Sequence, residues 1–357
     1  MLKRFSLYIC PIMKENEKKK ISLKDVANAV GVSITLVSIV LNGKAKQYRI
    51  ADEMAKRVLA VAKEMNYTPN LVARNLRGGK TQLIGLIVTD ISNPFFSTIS
   101  RVIENRANEL NYTVVFGSTD EKYSNTQKLI DVLLNKGVDG LIIVPCDGSE
   151  KIIEELHESG TPTVLIDRYF PNLNISFSCL NNYNASVLAT QHLIDQGYAK
   201  ISLVAYKSEM KNIKDRISGY EDTMKQSGLG ANINVKRVDI SYPKPDVCKA
   251  LNSLVNTKKT EAIIFSTNTL SIHGLYCLKD MNVKIPDDVA VVGFDENDVF
   301  DLFYSPITYI KQPVDLIAKE AVDILVDKIK NGEHAKKSMV ILEPELVIKE
   351  SSLKKNC

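Results

Sequence analysis

The residues of this 357-residue chain that could carry covalent or metal chemistry are few and badly placed for it. The four histidines, His157, His192, His273 and His334, share no metal-ligand spacing, and no Ser-His-Asp constellation is legible around them. The six cysteines, Cys10, Cys146, Cys179, Cys248, Cys277 and Cys357, contain no Cys-x-x-Cys pair. That spacing argues against a structural zinc site and against a disulfide framework, and suits a reduced cytoplasm. GGKT at 78–81 ends like a phosphate-binding loop, but Arg74 stands where the first glycine is needed. No G-x-G-x-x-G opens a helix, so a dinucleotide enzyme is unsupported. No catalytic residue, metal or cofactor is expected. What remains is a set of polar groups that end apolar runs: Asn93 with Phe95 and Phe96, Asp167 and Arg168, Arg216, Asn268, Asp295 and Gln312. Carboxylates and amides bind adjacent hydroxyls, arginine forks two more, and an aromatic face covers the apolar side of a ring. Such a set binds a sugar-like molecule. The plainer alternative, that Asn and Asp at strand ends merely cap the next helix, stays open at this point.

The elements that must position these groups are β-type runs alternating with helical stretches after Thr81. LIGLIV, TVVFGS and DGLIIV are separated by helical patterns at Phe95–Leu110 and Thr126–Lys136, and ISLVAY, AIIF and VAVVGF follow with helices between. Such alternation implies parallel sheets covered on both faces. The length splits naturally into two similar lobes, with a ligand cleft at the strand C-termini. Apolar residues make up 45% and charged residues 25%, ordinary for a globular chain, and no run reaches the ~18 apolar residues of a membrane helix.

Charge separates one end from the rest. Residues 1–80 hold 16 Lys and Arg against 6 Asp and Glu, whereas the remainder holds 30 against 36. A basic head on an acidic body points to a nucleic-acid contact confined to one end. Within the head, Ser22 is a good N-cap, and Leu23, Val26, Ala27 and Val30 form one helical stripe. Gly31 ends that helix and Ser33 caps the next, which buries Val37, Val40 and Leu41 and leaves Ile34, Thr35, Ser38 and Asn42 on its other side. A third helix, about Ala51 to Met65, packs Met54, Val58 and Val61 underneath. Two short helices joined by a glycine-containing turn make the DNA-reading helix-turn-helix; by spacing alone they also fit any small helical bundle, and the basic surplus favours DNA. Ahead of them, MLKRFSLYICPIM superficially looks like a secretory signal, but it is short, contains Pro11 and lacks a cleavage site. A dispensable extension with Met13 as the true start is the expectation.

These segments together resemble the LacI/GalR family of bacterial transcription regulators. The resemblance is carried by ISLKDVANAVGVSITLVSIVLNGK, VLAVAKEMNYTPNLVARNLRGGKT, IGLIVTDISNPFF, LIDR, RISGY, IPDDVAVVGFDE and SPITYIKQP, about Ile21 to Ser351. It implies a small all-α helix-turn-helix head followed by an α/β, two-lobed, parallel-sheet core like that of periplasmic binding proteins. It also implies that Ile34 and Thr35 face base edges in the major groove, with Ser33, Ser38 and Asn42 on phosphates and Ser22, Lys24 and Lys44 at the same interface. The sequence departs from the family at Leu36 and Ile39, where Thr and Arg are common. An isoleucine cannot pair guanine and makes only apolar contact, for instance with a thymine methyl, so Ile39 joins the expected contacts on those terms. TPNLVARNLRGGK matches the family's hinge, too short for a stable helix in water and expected to order on DNA. Asn70, Ala73 and Arg74 would contact DNA there, and Leu76 would wedge between base pairs of the minor groove.

The polar set likewise matches the residues that ligate pentoses in periplasmic sugar-binding proteins, except that Asn268-Thr269 replaces the usual Asn-Asp. The expected organisation is an extension at 1–20, a DNA-binding head at 21–66, a hinge at 67–80, an effector-binding and dimerisation core at 81–350, and a tail at 351–357. The resulting expectation is a cytoplasmic, homodimeric, operator-binding regulator, a repressor by type, switched by a sugar or sugar-like effector. Its rival is an exported sugar-binding protein with the same core, which should lack a folded head.

Overall fold

A computed structural model describes residues 21–67 and 80–354. The expected extension and the hinge residues Asn70, Ala73, Arg74 and Leu76 lie outside the described residues. The chain divides into two units, 1–79 and 80–357.

The first unit is three helices, α1 (Leu23–Val30), α2 (Ile34–Leu41) and α3 (Asp52–Glu64). At the start of α1, the Asp25 amide donates to the Ser22 hydroxyl at 3.3 Å, and the Asp25 carboxylate accepts from the Ser22 amide at 2.8 Å. This reciprocal box satisfies two donors that a helix start leaves orphaned. Gly31 ends α1 at φ 78°, a left-handed conformation that favours glycine. The Ser33 hydroxyl then accepts from the Leu36 amide at 3.2 Å to start α2, and α1 and α2 are turned 106° from one another. Val26, Ala27, Val30, Val37, Val40, Val58 and Ala62 form the core of this unit. Val61 is only half-buried, because Ala62, one turn on from Val58, takes the inner position.

The second unit holds two six-stranded sheets. The first contains β1 (Leu83–Val88), β2 (Thr113–Ser118), β3 (Gly140–Ile143), β4 (Thr163–Ile166), β5 (Ser176–Leu180) and β11 (Met339–Leu342), in the order β11-β5-β4-β3-β1-β2. The second contains β6 (Ile201–Tyr206), β7 (Val235–Val238), β8 (Ala262–Phe265), β9 (Ala290–Phe294), β10 (Thr308–Lys311) and β12 (Glu345–Val347), in the order β12-β10-β9-β8-β6-β7. All pairs are parallel except β10 with β12. Alternation along each strand loads both faces. Ile84, Leu86 and Val88 of β1 pack under α4 (Pro94–Glu109) and α12 (Val314–Asn331), whereas Ile87 faces α5 (Tyr123–Asn135) and α6 (Glu150–Glu158). The second lobe repeats the scheme with α7 (Asn182–Asp195) and α8 (Lys211–Gln226) on one face. On the other face lie α9 (Pro243–Asn252) and α10 (Asn268–Asp280). A short α11 (Asp298–Leu302) follows β9.

The chain crosses between the lobes three times: from β5 to α7, from β10 to α12, and from β11 to β12. Two of these crossings are tied together, since Asn181 and Asn184 donate to the Glu343 carboxylate at 2.8 and 2.7 Å.

Two expectations need correcting. Cys248 on α9 and Cys277 on α10 are disulfide-bonded, their Cα atoms 5.3 Å apart, because these two helices pack side by side. A separation of 29 residues gave no sign of this. Cys146 and Cys179 are free and buried. The expected tail also begins too early, since Ser351 and Ser352 are fully buried in the second lobe. Ser351 accepts from the Thr308 amide at 2.8 Å, and Ser352 sits 2.7 Å from His192 Nε2.

Candidate functional site

The strand order places a switch point between β1 and β3 in one lobe and between β6 and β8 in the other, where crossovers leave in opposite directions and open a crevice at the strand C-termini. The two crevices face each other across a single cavity of about 570 Å³. Asn93, Phe95, Phe96, Asp167, Arg168, Arg216, Asn268, Asp295 and Gln312 all line it. Asp90, Glu121, Asp147, Ser208 and Asn212, which the sequence does not single out, line it as well, as does Thr269, where the sequence departs from the usual Asn-Asp. Glu121 and Asp147 also follow strands, so the same signal, polar groups at strand ends, was available for them.

Helix capping accounts for only part of the set. Asn93 does cap α4, its Oδ1 accepting from the Phe95 amide at 3.0 Å, and its Nδ2 reaches across the cleft to Thr269 Oγ1 at 3.4 Å. A second link across the cleft runs from Ser208 Oγ to Asp147 Oδ2 at 2.7 Å. Asp167 and Asp295 do not start the helices that follow them in sequence, although the Asp295 carboxylate accepts from the Asn268 amide at the start of α10. Each follows the fourth strand of its lobe, each has φ 66°, and each donates its amide to the neighbouring strand, to Ser178 and Ile310 respectively. That backbone is uncommon for a non-glycine residue and points both carboxylates into the crevice.

Burial governs the electrostatics. It pushes the Asp295 carboxyl up to about 6, against the pull of Arg216 and the hydrogen bond that Gln312 Nε2 donates at 2.6 Å. Asp167 is likewise raised by burial, with Arg168 and Arg216 opposing. Arg216 is lowered by burial despite Asp295 and Asp167. Its Nε donates to Asn182 at 2.8 Å, and Nη1 donates to the Ser266 carbonyl at 2.5 Å. Its Cζ lies over the Phe294 ring, 3.7 Å from the centroid. Gly219 allows this placement, because a Cβ there would strike the Tyr183 carbonyl and push α8 off α7. For Arg168, burial alone would lower the guanidinium, but the charge and hydrogen bonds of Glu121, with Asp167 and Asp147, hold it above its usual range.

Several buried groups facing the cavity have no partner: Asn268 Nδ2, Gln312 Oε1, Asn212 Oδ1 and Thr89 Oγ1. Unpaired buried polar atoms are costly, so their concentration here suits a polar occupant. Among the described residues, no cluster of His, Cys, Asp and Glu could hold a metal.

In the head, Ser22, Lys24, Ser33, Ile34, Thr35, Asn42 and Lys44 are exposed, while Ser38 and Ile39 are half-buried. Ser38 is engaged within its own helix, its carbonyl accepting from Asn42 Nδ2 at 2.7 Å. No single described helix is long and apolar enough to cross a membrane.

Comparison with known proteins extends over nearly the whole chain. Residues 22–70 match the family described as bacterial regulatory proteins, lacI family. Residues 81–349 match periplasmic binding proteins and sugar binding domain of LacI family. The chain is 31% identical over 333 residues to the HTH-type transcriptional repressor PurR of Photobacterium profundum, covering 92% of this chain and 98% of that one. It is 30% identical to the HTH-type transcriptional regulator DegA of Bacillus subtilis over 339 residues, 93% of this chain and 98% of that one. In fold it is similar to the Lac repressor dimer bound to operator and the anti-inducer ONPF, with a TM-score of 0.82 at 23% identity over 94% of this chain and all of that one. A folded head matched as a DNA-binding module disfavours an exported sugar-binding protein. The chain belongs to the LacI family of bacterial regulatory proteins and is a DNA-binding transcriptional regulator with a sugar-binding-type core.

Proposed function

We propose that this regulator is a cytoplasmic homodimeric repressor whose operator affinity is set by a small sugar-like effector held between the two lobes. The observation that carries the effector half is the cleft, where amide, carboxylate, guanidinium and aromatic groups from both lobes line one cavity and leave several buried polar atoms unpartnered. A bound polyol that touches both lobes favours one lobe arrangement, and that preference reaches the DNA-binding end. The dimer half is supported by β2, an edge strand that leaves Val115 and Phe116 exposed. Operator contacts are assigned to Ile34, Thr35 and Ile39 on base edges, and to Ser22, Lys24, Ser33, Ser38, Asn42 and Lys44 on the backbone. The hinge contacts Asn70, Ala73, Arg74 and Leu76 complete the interface.

The test has two stages. Melting the purified protein against a panel of sugars identifies a ligand, since one at 100 times its dissociation constant adds ~2.7 kcal/mol to native-state stability. Operator affinity is then measured with and without that ligand for the parent and for Asp295→Ala. Coupling of ~1–3 kcal/mol, or 5–150-fold, is expected in the parent and none in the variant. Ligand-free affinity should stay within a few-fold. A variant that keeps the full response places the effector elsewhere.

A further inference from the structure

The cleft is acidic. Asp90, Asp120, Glu121, Asp147, Asp167 and Asp295 line it against three cations, Lys122, Arg168 and Arg216. Of these cations, Arg168 is the natural receptor for a ligand acid group, because a guanidinium fork matches a carboxylate or phosphate in two parallel bonds. That fork is already filled. Arg168 Nη1 and Nη2 donate to the two oxygens of Glu121 at 2.9 and 2.7 Å. Its Nε donates to Asp167 at 3.3 Å, and Nη1 also reaches the Pro145 carbonyl at 3.3 Å. The two side chains are only 15% and 20% exposed.

Glu121 is delivered there by a tight turn at the end of β2, in which Asp120 and Glu121 both have positive φ, 53° and 56°. Consecutive non-glycine residues in that region are unfavourable and persist only where surrounding contacts hold them. An incoming anion has to displace Glu121, leaving that carboxylate uncompensated in a confined site beside Asp167, a costly exchange. A hydroxyl needs no such displacement. It both donates and accepts, so a ring of hydroxyls can serve the unpartnered donor Asn268 Nδ2, the unpartnered acceptor Gln312 Oε1 and the acidic wall together. An acceptor-only phosphate serves the donors alone.

We propose that Glu121 is the specificity-determining residue of the cleft: it takes the place of a ligand acid group on Arg168, so the effector is an uncharged polyhydroxy compound and its phosphorylated or carboxylated forms are excluded. This rests on the cleft being the effector site, and deepens that reading by naming the ligand's charge.

The test uses the full chain as wild type, Glu121→Gln, Glu121→Ala and Glu121→Gln/Arg168→Gln, with inorganic phosphate as probe. Melting temperatures are compared in millimolar phosphate and in chloride of equal ionic strength. Wild type should not respond beyond the general salt effect. The Glu121 single variants should gain about 2 °C or more in phosphate, and the double variant should lose that gain. A wild type stabilised as much as the single variants overturns the proposal, as does a gain that persists in the double variant. Folded single variants, judged by circular dichroism, that gain nothing also overturn it. A second arm titrates wild type with neutral pentoses and hexoses and with their phosphate esters. Tighter binding of an ester than of its parent sugar overturns the proposal. If no sugar binds yet the Glu121 variants acquire phosphate, exclusion of anions is upheld and the sugar reading of the cleft falls.

Discussion

Arg168 and Arg216 face one cavity with different obligations. Arg168 is bound to carboxylates and one carbonyl at the cleft surface, whereas Arg216 is built into the second lobe through Asn182, the Ser266 carbonyl and the Phe294 ring. Arg216→Ala therefore leaves Asn182 and that carbonyl without their donor and should lower unfolding free energy by about 1–3 kcal/mol for each group so orphaned. Chemical denaturation measures this; a loss within experimental error would mean that Arg216 serves only the ligand. Asp295 works in the opposite sense. Its carboxyl is raised to about 6 by burial, so the folded state holds a proton that the unfolded state has released between the ordinary carboxylate range and pH 6. Stability contributed by the protonated form is thus lost as pH rises through that window. Asp295→Asn should stabilise the ligand-free protein above pH 6 by no more than about 3 kcal/mol and leave it unchanged near pH 3. Denaturation curves across that range test the sign, and a variant less stable than the parent at neutral pH contradicts it.

At the scale of elements, α2 is unusual for the base-reading role proposed for it, because its sequence, ITLVSIVL, offers no side chain able to make paired hydrogen bonds to a base. Ile34 is 42% exposed at its start. Direct recognition by this helix then falls to thymine methyls and single hydroxyl bonds from Thr35. Replacing a contacted thymine by uracil should weaken operator binding about fourfold, the equivalent of about 0.8 kcal/mol for one methyl-sized group. Ile34→Ala should erase that sensitivity. Uracil scanning of each half-site measures both, and indifference at every thymine would leave shape as the source of specificity.

The elements differed in how plainly the sequence announced them. Strands such as LIGLIV and AIIF are buried on both faces and stand out as apolar runs, whereas β7 and β12 are short edge strands whose polar residues hide them. The same holds within the cleft. Asp167 and Asp295 follow obvious strands and were legible. Glu121 also follows a strand, but its pairing with Arg168 is not legible, because that approach depends on two positive φ angles that no local pattern betrays. The Cys248–Cys277 pair was hidden for a similar reason, since only the packing of α9 on α10 brings the two together.

At the scale of the whole molecule, charge and symmetry decide how the protein meets its operator. The basic head should make binding fall steeply with salt, with a logarithmic slope of about −0.9 per phosphate contacted. Fluorescence anisotropy over a salt series gives that slope, and a flat line would remove the backbone contacts. Two-fold operators are matched by two-fold proteins, and the interface proposed for this one is the edge strand β2. Phe116, 60% exposed, is the large apolar side chain that this strand leaves most open. Phe116→Lys should weaken self-association at least about tenfold, or 1.4 kcal/mol, as read by sedimentation velocity. An unaltered dimer would move the interface to another face.

The three crossings between the lobes carry a consequence for how the polypeptide is made. The head is finished by residue 67, early in synthesis, but the first sheet waits for β11 at Met339–Leu342 and the second for β12 at Glu345–Val347. Neither lobe is a contiguous stretch, so neither can close its sheet while the last twentieth of the chain is still inside the ribosome. A message truncated before residue 339 therefore leaves a complete DNA-binding head attached to two lobes with exposed strand edges, prone to aggregate. Both sheets of this regulator are thus completed only by β11 and β12, at 339–347.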